Sequence, residues 1–192
     1  MMRTAVSHTR LYSYLVTRHT GRAVRTNIEE QLAVFEETVL AVLDLEHVEL
    51  IDFSCADEVV AKLVTMPGVI SGRRFFLFRG IADRHSEPIE SALSRQGLAA
   101  AGETIDGDPF VMGDIEPEFE RAWRALWRVG RAAPTGLAEQ LSLTIEVTTE
   151  LLTGLDSRGL VIRDGDDYVS FGRALADAPA SMDGAPVDPA TR

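Results

Sequence analysis

The spacing of apolar residues changes along the chain, and each change names an element. Residues 1–9 carry no sustained apolar pattern and read as disordered. Across residues 10–17, Leu11, Tyr12, Tyr14, Leu15 and Val16 sit among polar neighbours in a pattern that predicts a strand, and His19, Thr20 and Gly21 read as a turn. Val24, Ile28, Leu32 and Phe35 recur at helical spacing, so a helix ends near Glu37. Residues 39–45 are a continuous apolar run capped by Asp44, the pattern of a strand buried on both faces. Val48, Leu50 and Ile51 mark an alternating stretch over residues 46–52. Ser54 then stands where a helix N-cap belongs, with Asp57 and Glu58 in the first turn, where carboxylates favour the positive end of the helix dipole. Val59, Val60, Leu63 and Val64 give that helix a buried stripe, and Met66, Pro67 and Gly68 end it.

Residues 74–79 (RFFLFR) predict the next strand, and Ser86, Glu87 and Pro88 open a third helix that Gly97 closes. Residues 98–105 and 110–112 read as a hairpin around Asp106, Gly107, Asp108 and Pro109. Strand and helix alternate to this point, which predicts an α/β layer fold with a mixed sheet and helices over residues 10–113. The pattern changes after the boundary at residues 113–117. Phe119, Ala122, Trp123, Leu126 and Trp127 line one face of a helix, and Arg121, Arg124, Arg128 and Arg131 line another. Residues 137–141 and 144–158 follow as two helices around a short turn, with Thr144 as N-cap and Val147, Leu151, Leu152 and Leu155 buried. Residues 161–171 form a hairpin about Asp164, Gly165, Asp166 and Asp167. Residues 114–175 therefore predict a helix-turn-helix with a wing, and residues 176–192, rich in Pro, Ala and Asp, a disordered tail.

Composition narrows the function. A formal net charge of −11 opposes non-specific binding to nucleic acid or anionic membrane, since both need a positive field. No apolar run approaches the ~18 residues that span a bilayer. The N-terminal stretch MMRTAVSHTRLYSYLV lacks the apolar core of a signal peptide, which points to the cytoplasm. The single cysteine, Cys55, leaves no internal disulfide, and no His, Cys or carboxylate spacing fits a metal site. No cofactor is expected.

The run VELIDFSCADE, residues 48–58, resembles the strand-to-helix signature of STAS domains in bacterial anti-sigma-factor antagonists. Asp52 matches that signature's aspartate and Ser54 its second serine, while Phe53 stands at the first serine and Cys55 at the glycine. The Ser-x-Ala-Asp-Glu run is closer still to an uncharacterised STAS-like bacterial family. The resemblance implies a STAS-like fold over residues 10–113 and a regulatory, non-enzymatic role. Ser54 becomes the candidate phosphorylation site, and an anti-sigma factor or a histidine-kinase-like ATPase a conceivable partner. Residues 137–163 (LAEQLSLTIEVTTELLTGLDSRGLVIR) are similar in register to the winged helix of MarR-like regulators, which implies a homodimer and a helix from Thr144 that reads DNA.

Each of these residues has a plainer reading. Ser54 as a helix cap outweighs Ser54 as a switch, and the two are compatible. Asp52, Cys55, Asp57 and Glu58 would share its docking face. Arg18, His19, Arg22 and Arg25 are either a solvated basic loop or a receptor for an anion or acidic partner. Thr144, Thr148, Thr149, Thr153, Arg158 and Arg163 are the DNA-contact candidates, but Glu146, Glu150 and the wing aspartates repel phosphate, so protein–protein contact is favoured over DNA. Catalysis by Ser54 or Cys55 would need a positioned base from His19, His47 or His85, which the sequence does not place. No residue is assigned a catalytic role.

Overall fold

The computed structural model describes residues 4–66, 74–178 and 182–183. β1 (Thr4–Arg10), β2 (Tyr14–Leu15), α1 (Arg18–Ala33), β3 (Thr38–Asp44) and β4 (Leu50–Ile51) lead into a composite helix, α2. It starts as α-helix at Phe53–Ala56, widens to a π-helical turn at Asp57–Ala61 and returns to α-helix at Lys62–Val64. β5 (Arg74–Ile81), α3 (Asp83–Ser94), β6 (Ala99–Thr104) and β7 (Pro109–Gly113) follow. Then come α4 (Pro117–Val129), β8 (Arg131–Ala132), α5 (Pro134–Leu141), α6 (Ile145–Ser157), β9 (Ile162–Asp164), β10 (Asp167–Val169), α7 (Phe171–Asp177) and β11 (Met182–Asp183).

The protein is a mixed α/β fold built on a mixed sheet of order β11-β1-β3-β5-β6-β7. β1, β3, β5 and β6 are parallel, β7 runs antiparallel to β6, and β11 lies parallel to β1. A helix bridges each parallel step, and all three steps move the same way across the sheet. Crossovers of one hand then put α1, α2 and α3 on a single face. Val24, Ile28, Leu32, Val59, Leu63, Ile89 and Leu93 fill that layer against Val39, Ala41, Leu43, Phe76 and Phe78. The alternate side chains Leu40, Phe75 and Leu77 point to the second face, where they share one buried cluster with Trp123, Leu126, Leu152, Leu155 and Phe171. The Phe75 and Phe171 rings meet edge to face at 5.9 Å. The sheet is thus the middle of three layers, which is why residues 39–45 read as apolar at nearly every position. The boundary at residues 113–117 is where the chain crosses from one face to the other.

Several elements differ from the pattern reading. Residues 4–9, expected to be disordered, form β1 together with Arg10, paired along its length with β3. Ser7 and Thr9 are buried there, and the Thr9 hydroxyl is satisfied by Gln31, so the strand carries no apolar alternation to detect. Of residues 10–17, expected to be one strand, Arg10 ends β1 and only Tyr14 and Leu15 form a strand of their own, β2. His19, Thr20 and Gly21 are the first turn of α1, with Gly21 buried against α2. α3 begins at Asp83, three residues before Ser86, and keeps Pro88 inside its first turns. The stretch from Ala176, expected to be disordered, continues α7 to Asp177 and adds Met182–Asp183 to the β1 edge. A strand edge recruits backbone, which composition does not report. Pro67 and Gly68, and most of that tail, lie outside the described residues.

Candidate functional site

The two short strands beyond β1 and β3 prepare the site. Tyr14 pairs with Leu50 and Leu15 with Ile51, in parallel, so the two segments emerge side by side and each starts a helix two or three residues later. Thr17 caps α1 and Asp52 caps α2. The Asp52 amide donates to the Leu15 carbonyl at 3.0 Å, which locks the two starts together.

Asp52 joins both helices. Its Oδ1 accepts from the Cys55 amide at 2.8 Å and from the Ser54 hydroxyl at 2.9 Å, and its Oδ2 accepts from the Thr17 amide at 2.8 Å. Burial pushes the Asp52 carboxyl up, but hydrogen bonds from the Thr17 and Cys55 amides and the Ser54 hydroxyl outweigh it and hold the group below its ordinary range. The structure therefore corrects the cap: it is Asp52, with extended backbone at ψ 165°, and not Ser54, which lies one residue inside the helix. The N-cap carboxylate reaches the amide three residues on, and Phe53 has already turned helical. Ser54 reaches back to that carboxylate through its hydroxyl.

Thr17 completes the clasp. Its φ of 75° is a left-handed conformation that a β-branched residue rarely adopts. In return its amide reaches Asp52, its carbonyl accepts from the Cys55 thiol at 2.9 Å, and its hydroxyl accepts from the Thr20 amide. Gly21 lets the helices approach: a Cβ there would lie 2.9 Å from the Glu58 Cβ and 3.0 Å from the Cys55 Cα.

Beyond the clasp, the π-helical turn presents Asp57 and Glu58 to α1. Glu58 is 0% exposed, yet it meets three cations: Arg18 at 3.0 Å, Arg25 at 3.3 Å and Lys62 at 2.5 Å. Burial raises its pKa, while Lys62, Arg18 and Arg25 lower it by more, so the group stays ionised. Arg18 also binds Asp57 at 2.7 Å, and Asp57 accepts from Gln96, in the turn that follows α3, at 2.9 Å. Two of the four anion-receptor candidates, Arg18 and Arg25, are thus engaged by carboxylates of the chain itself, and His19 and Arg22 remain exposed on α1.

Cys55 is fully buried, and burial together with the Asp52 charge pushes its thiol up to about 11. His85 is buried too. Its Nδ1 accepts from the Ala82 amide at 3.1 Å and its Nε2 donates to the Val48 carbonyl at 2.7 Å. Burial lowers its pKa and the nearby Arg84 charge adds to that, against the Val48 carbonyl, so the ring is a neutral brace between α3 and the loop before β4. Among the described residues no group of three His, Cys, Asp or Glu side chains gathers as a metal would require. The exposed rim consists of Tyr14 (59%) and Leu50 (50%), with Phe53 under the Arg95 guanidinium at 5.1 Å. None of Thr17, Gly21, Lys62, Tyr14, Leu50 or Arg95 was assigned to the site from the sequence; Tyr14 and Leu50 read only as strand positions and Gly21 only as a turn. Asp52, two residues before Ser54, was among the docking candidates, but not as the cap.

In the C-terminal layer, α5 and α6 meet through a left-handed Ser142 at φ 55°. Thr144 caps α6 by accepting from the Val147 amide at 3.3 Å. Val147, expected in the core, is 41% exposed, and Thr148 takes the buried position with its hydroxyl on the Thr144 carbonyl. Thr148 is therefore not on the outward face, whereas Thr144, Thr149 and Thr153 are. Arg158 is held by Glu116 at 3.0 Å and lies over the Phe119 ring. The wing aspartates Asp164 and Asp167 are bound by Arg131 at 2.8 and 3.3 Å. Arg163 is exposed and reaches the Gly165 carbonyl. No helix among the described residues is long and apolar enough to cross a membrane. Compared with known family models and with curated proteins, the chain matches none, so its function is read from this geometry.

Proposed function

We propose that the chain is a non-enzymatic regulatory protein of the cytoplasm. A STAS-like layer, residues 10–113, docks a protein partner through the start of α2. A winged helix, residues 114–175, carries the outcome to a second protein or a second copy. One observation carries the reading: the Ser54 hydroxyl is bonded to the carboxylate that fixes the starts of both α1 and α2. A charge placed on Ser54 would act on Asp52 at hydrogen-bond distance, and through it on Thr17 and the orientation of two helices. The apolar rim of Tyr14, Leu50 and Phe53 beside it supplies contact area. A run of parallel strands with three helices on one face supports the STAS-like assignment. An anti-sigma factor or a histidine-kinase-like ATPase fits as partner.

The surroundings weigh against catalysis. Asp52, held below its usual pKa, is a weak base for Ser54, the Cys55 thiol stays protonated near neutrality, and His85 spends both ring nitrogens on backbone.

The test is photo-crosslinking from Tyr14 and Leu50 in cells, followed by titration of the purified captured protein with wild type, Ser54→Ala and Ser54→Asp. The reading requires Ser54→Asp to change affinity while the fold is kept. Equal affinity for all three chains refutes it. A second reading, a DNA-binding regulator, draws on the helix-turn-helix geometry and the outward Thr149 and Thr153. It requires binding to the protein's own promoter region at low salt, where phosphate contacts are strongest, and absence of binding there removes it.

A further inference from the structure

The six-stranded sheet has two outer edges, and the chain treats them differently. At the β7 edge, Pro109 offers no amide, and the Gly113 amide donates to the Glu90 carboxylate at 2.7 Å. The β1 edge has no such guard. Thr4–Arg10 contains no proline and keeps an unbroken register with β3 from Thr4 to Arg10. A regular edge of this kind is a template for another strand. Among the described residues the template is used at two positions only, Ser7 opposite Met182 and His8 opposite Asp183, in parallel. Thr4, Ala5, Val6, Thr9 and Arg10 have no register partner on that side among the described residues. The two occupying residues come from the far end of the chain, past α7, whose Phe171 belongs to the cluster on the second face of the sheet.

We propose that the outer edge of β1 is a binding site for an extended peptide segment, and that the chain's own C-terminal stretch after Ala178 occupies it in cis through Met182 and Asp183. An added strand gains main-chain hydrogen bonds along the edge, so the site selects an extended backbone free of proline at the paired positions. A two-position ladder gains few such bonds and must offset the ordering of the residues that make it, so the cis strand is held weakly. Its attachment keeps it in place: a segment on a short connection is present at an effective concentration in the millimolar range. A partner segment that pairs along more of β1 displaces it, and the tail sets the threshold that such a partner must exceed. Occupancy of this edge bears directly on the central sheet, because β1 is paired with β3 along its whole inner side. The site uses none of Asp52, Ser54 or the rim beside them.

The experiment uses the full chain, as wild type and as the double variant Met182→Pro/Asp183→Pro, which removes both amides of the cis strand without shortening the protein. The probe is a synthetic peptide of residues 179–192, titrated into isotope-labelled protein and followed by NMR at the amides of β1. The variant should bind the peptide about ten-fold more tightly than wild type, because the cis competitor is gone. A peptide carrying the same two prolines should leave both proteins unchanged. Without peptide, the outward β1 amides around Ser7 and His8 should exchange with solvent faster in the variant than in wild type, while the β5 amides keep their protection. A variant that does not bind the peptide overturns the inference, as does one that binds the proline peptide equally well. So does a wild type that binds as tightly as the variant, or unchanged exchange around Ser7 and His8, since the tail then does not cover the edge. None of these readouts involves Ser54 or its partner, so failure here is separate from failure of the docking reading.

Discussion

Replacing Asp52 with alanine removes three hydrogen bonds that converge on one carboxylate. Loss of the N-cap bond to Cys55 costs about 1 kcal/mol. The Thr17 amide loses a charge-assisted acceptor but is open to water, so that loss is smaller, about 0.5–1 kcal/mol. The Ser54 hydroxyl can turn to solvent at little cost. The sum is about 2 kcal/mol, or ~4–8 °C in midpoint for a chain of this size. Ser54→Ala removes only the third bond and gains helix propensity, so it should stay within ~0.5 kcal/mol of wild type. Asp52→Asn keeps a cap acceptor and should fall between them. Equilibrium denaturation of the three variants reads this directly. The pH dependence has a definite sign. Folding lowers the Asp52 pKa, so its contribution is complete above the ordinary aspartate value of about 3.9 and disappears as pH falls through the folded value. The Asp52→Ala deficit should therefore shrink on acidification. If Ser54→Ala proves as costly as Asp52→Ala, the cap is misassigned and the clasp argument fails.

Other perturbations probe the same layer. Glu58→Gln should cost about 1–3 kcal/mol, less than a fully buried pair because its cations can return to water, and the loss should be visible at neutral pH and vanish as pH falls below the glutamate range, since folding lowers this pKa as well. Gly21→Ala should destabilise by about 1–3 kcal/mol in the same denaturation assay, because the added Cβ meets backbone of α2 and not a flexible side-chain end. Cys55 in the folded chain should react with a thiol reagent orders of magnitude more slowly than in denaturant; fast labelling at neutral pH would contradict its burial and its thiol at about 11.

What the sequence disclosed follows from where the determinants lie. The order of the α/β elements was readable from β3 to β7 because apolar spacing there is dictated by two buried sheet faces. The α5–α6 turn and the hairpin after it were readable because Thr144 and the Asp-Gly pair at residues 164–165 act locally. β1 was hidden because its inward positions include Ser7 and Thr9, whose burial depends on partners more than 20 residues away. The site was half legible. The stretch from Asp52 to Glu58 stood out as an acidic helix start, but which residue caps it depends on where α1 begins. That in turn depends on a left-handed Thr17 and on Gly21 serving as a contact point when its local signal is a turn. Two of the three cations on Glu58, Arg18 and Arg25, were visible as part of a basic cluster, but the buried carboxylate they meet on the neighbouring helix was not, because that pairing is set by the packing of α1 on α2.

The arrangement of layers bears on how the two halves could communicate. β3 contributes Val39, Ala41 and Leu43 to one core and Leu40 to the other, and β5 does the same with Phe76 and Phe78 against Phe75 and Leu77. A shift of α1 and α2 that moves these strands displaces side chains on the far face within one residue's length. A close-packed interior takes up such a shift by repacking, because it is not elastic. Whatever favours one position of α2 therefore biases the seat of Trp123 and Phe171, and with it α4. The reverse must hold equally, since coupling between two binding events is reciprocal. A partner bound at the Ser54 rim should change the affinity of whatever binds the C-terminal layer by the same factor by which that binding changes the partner's affinity. Measuring both halves of this cycle with purified components is a closed test. Factors of one in both halves would mean that the sheet insulates the layers it joins.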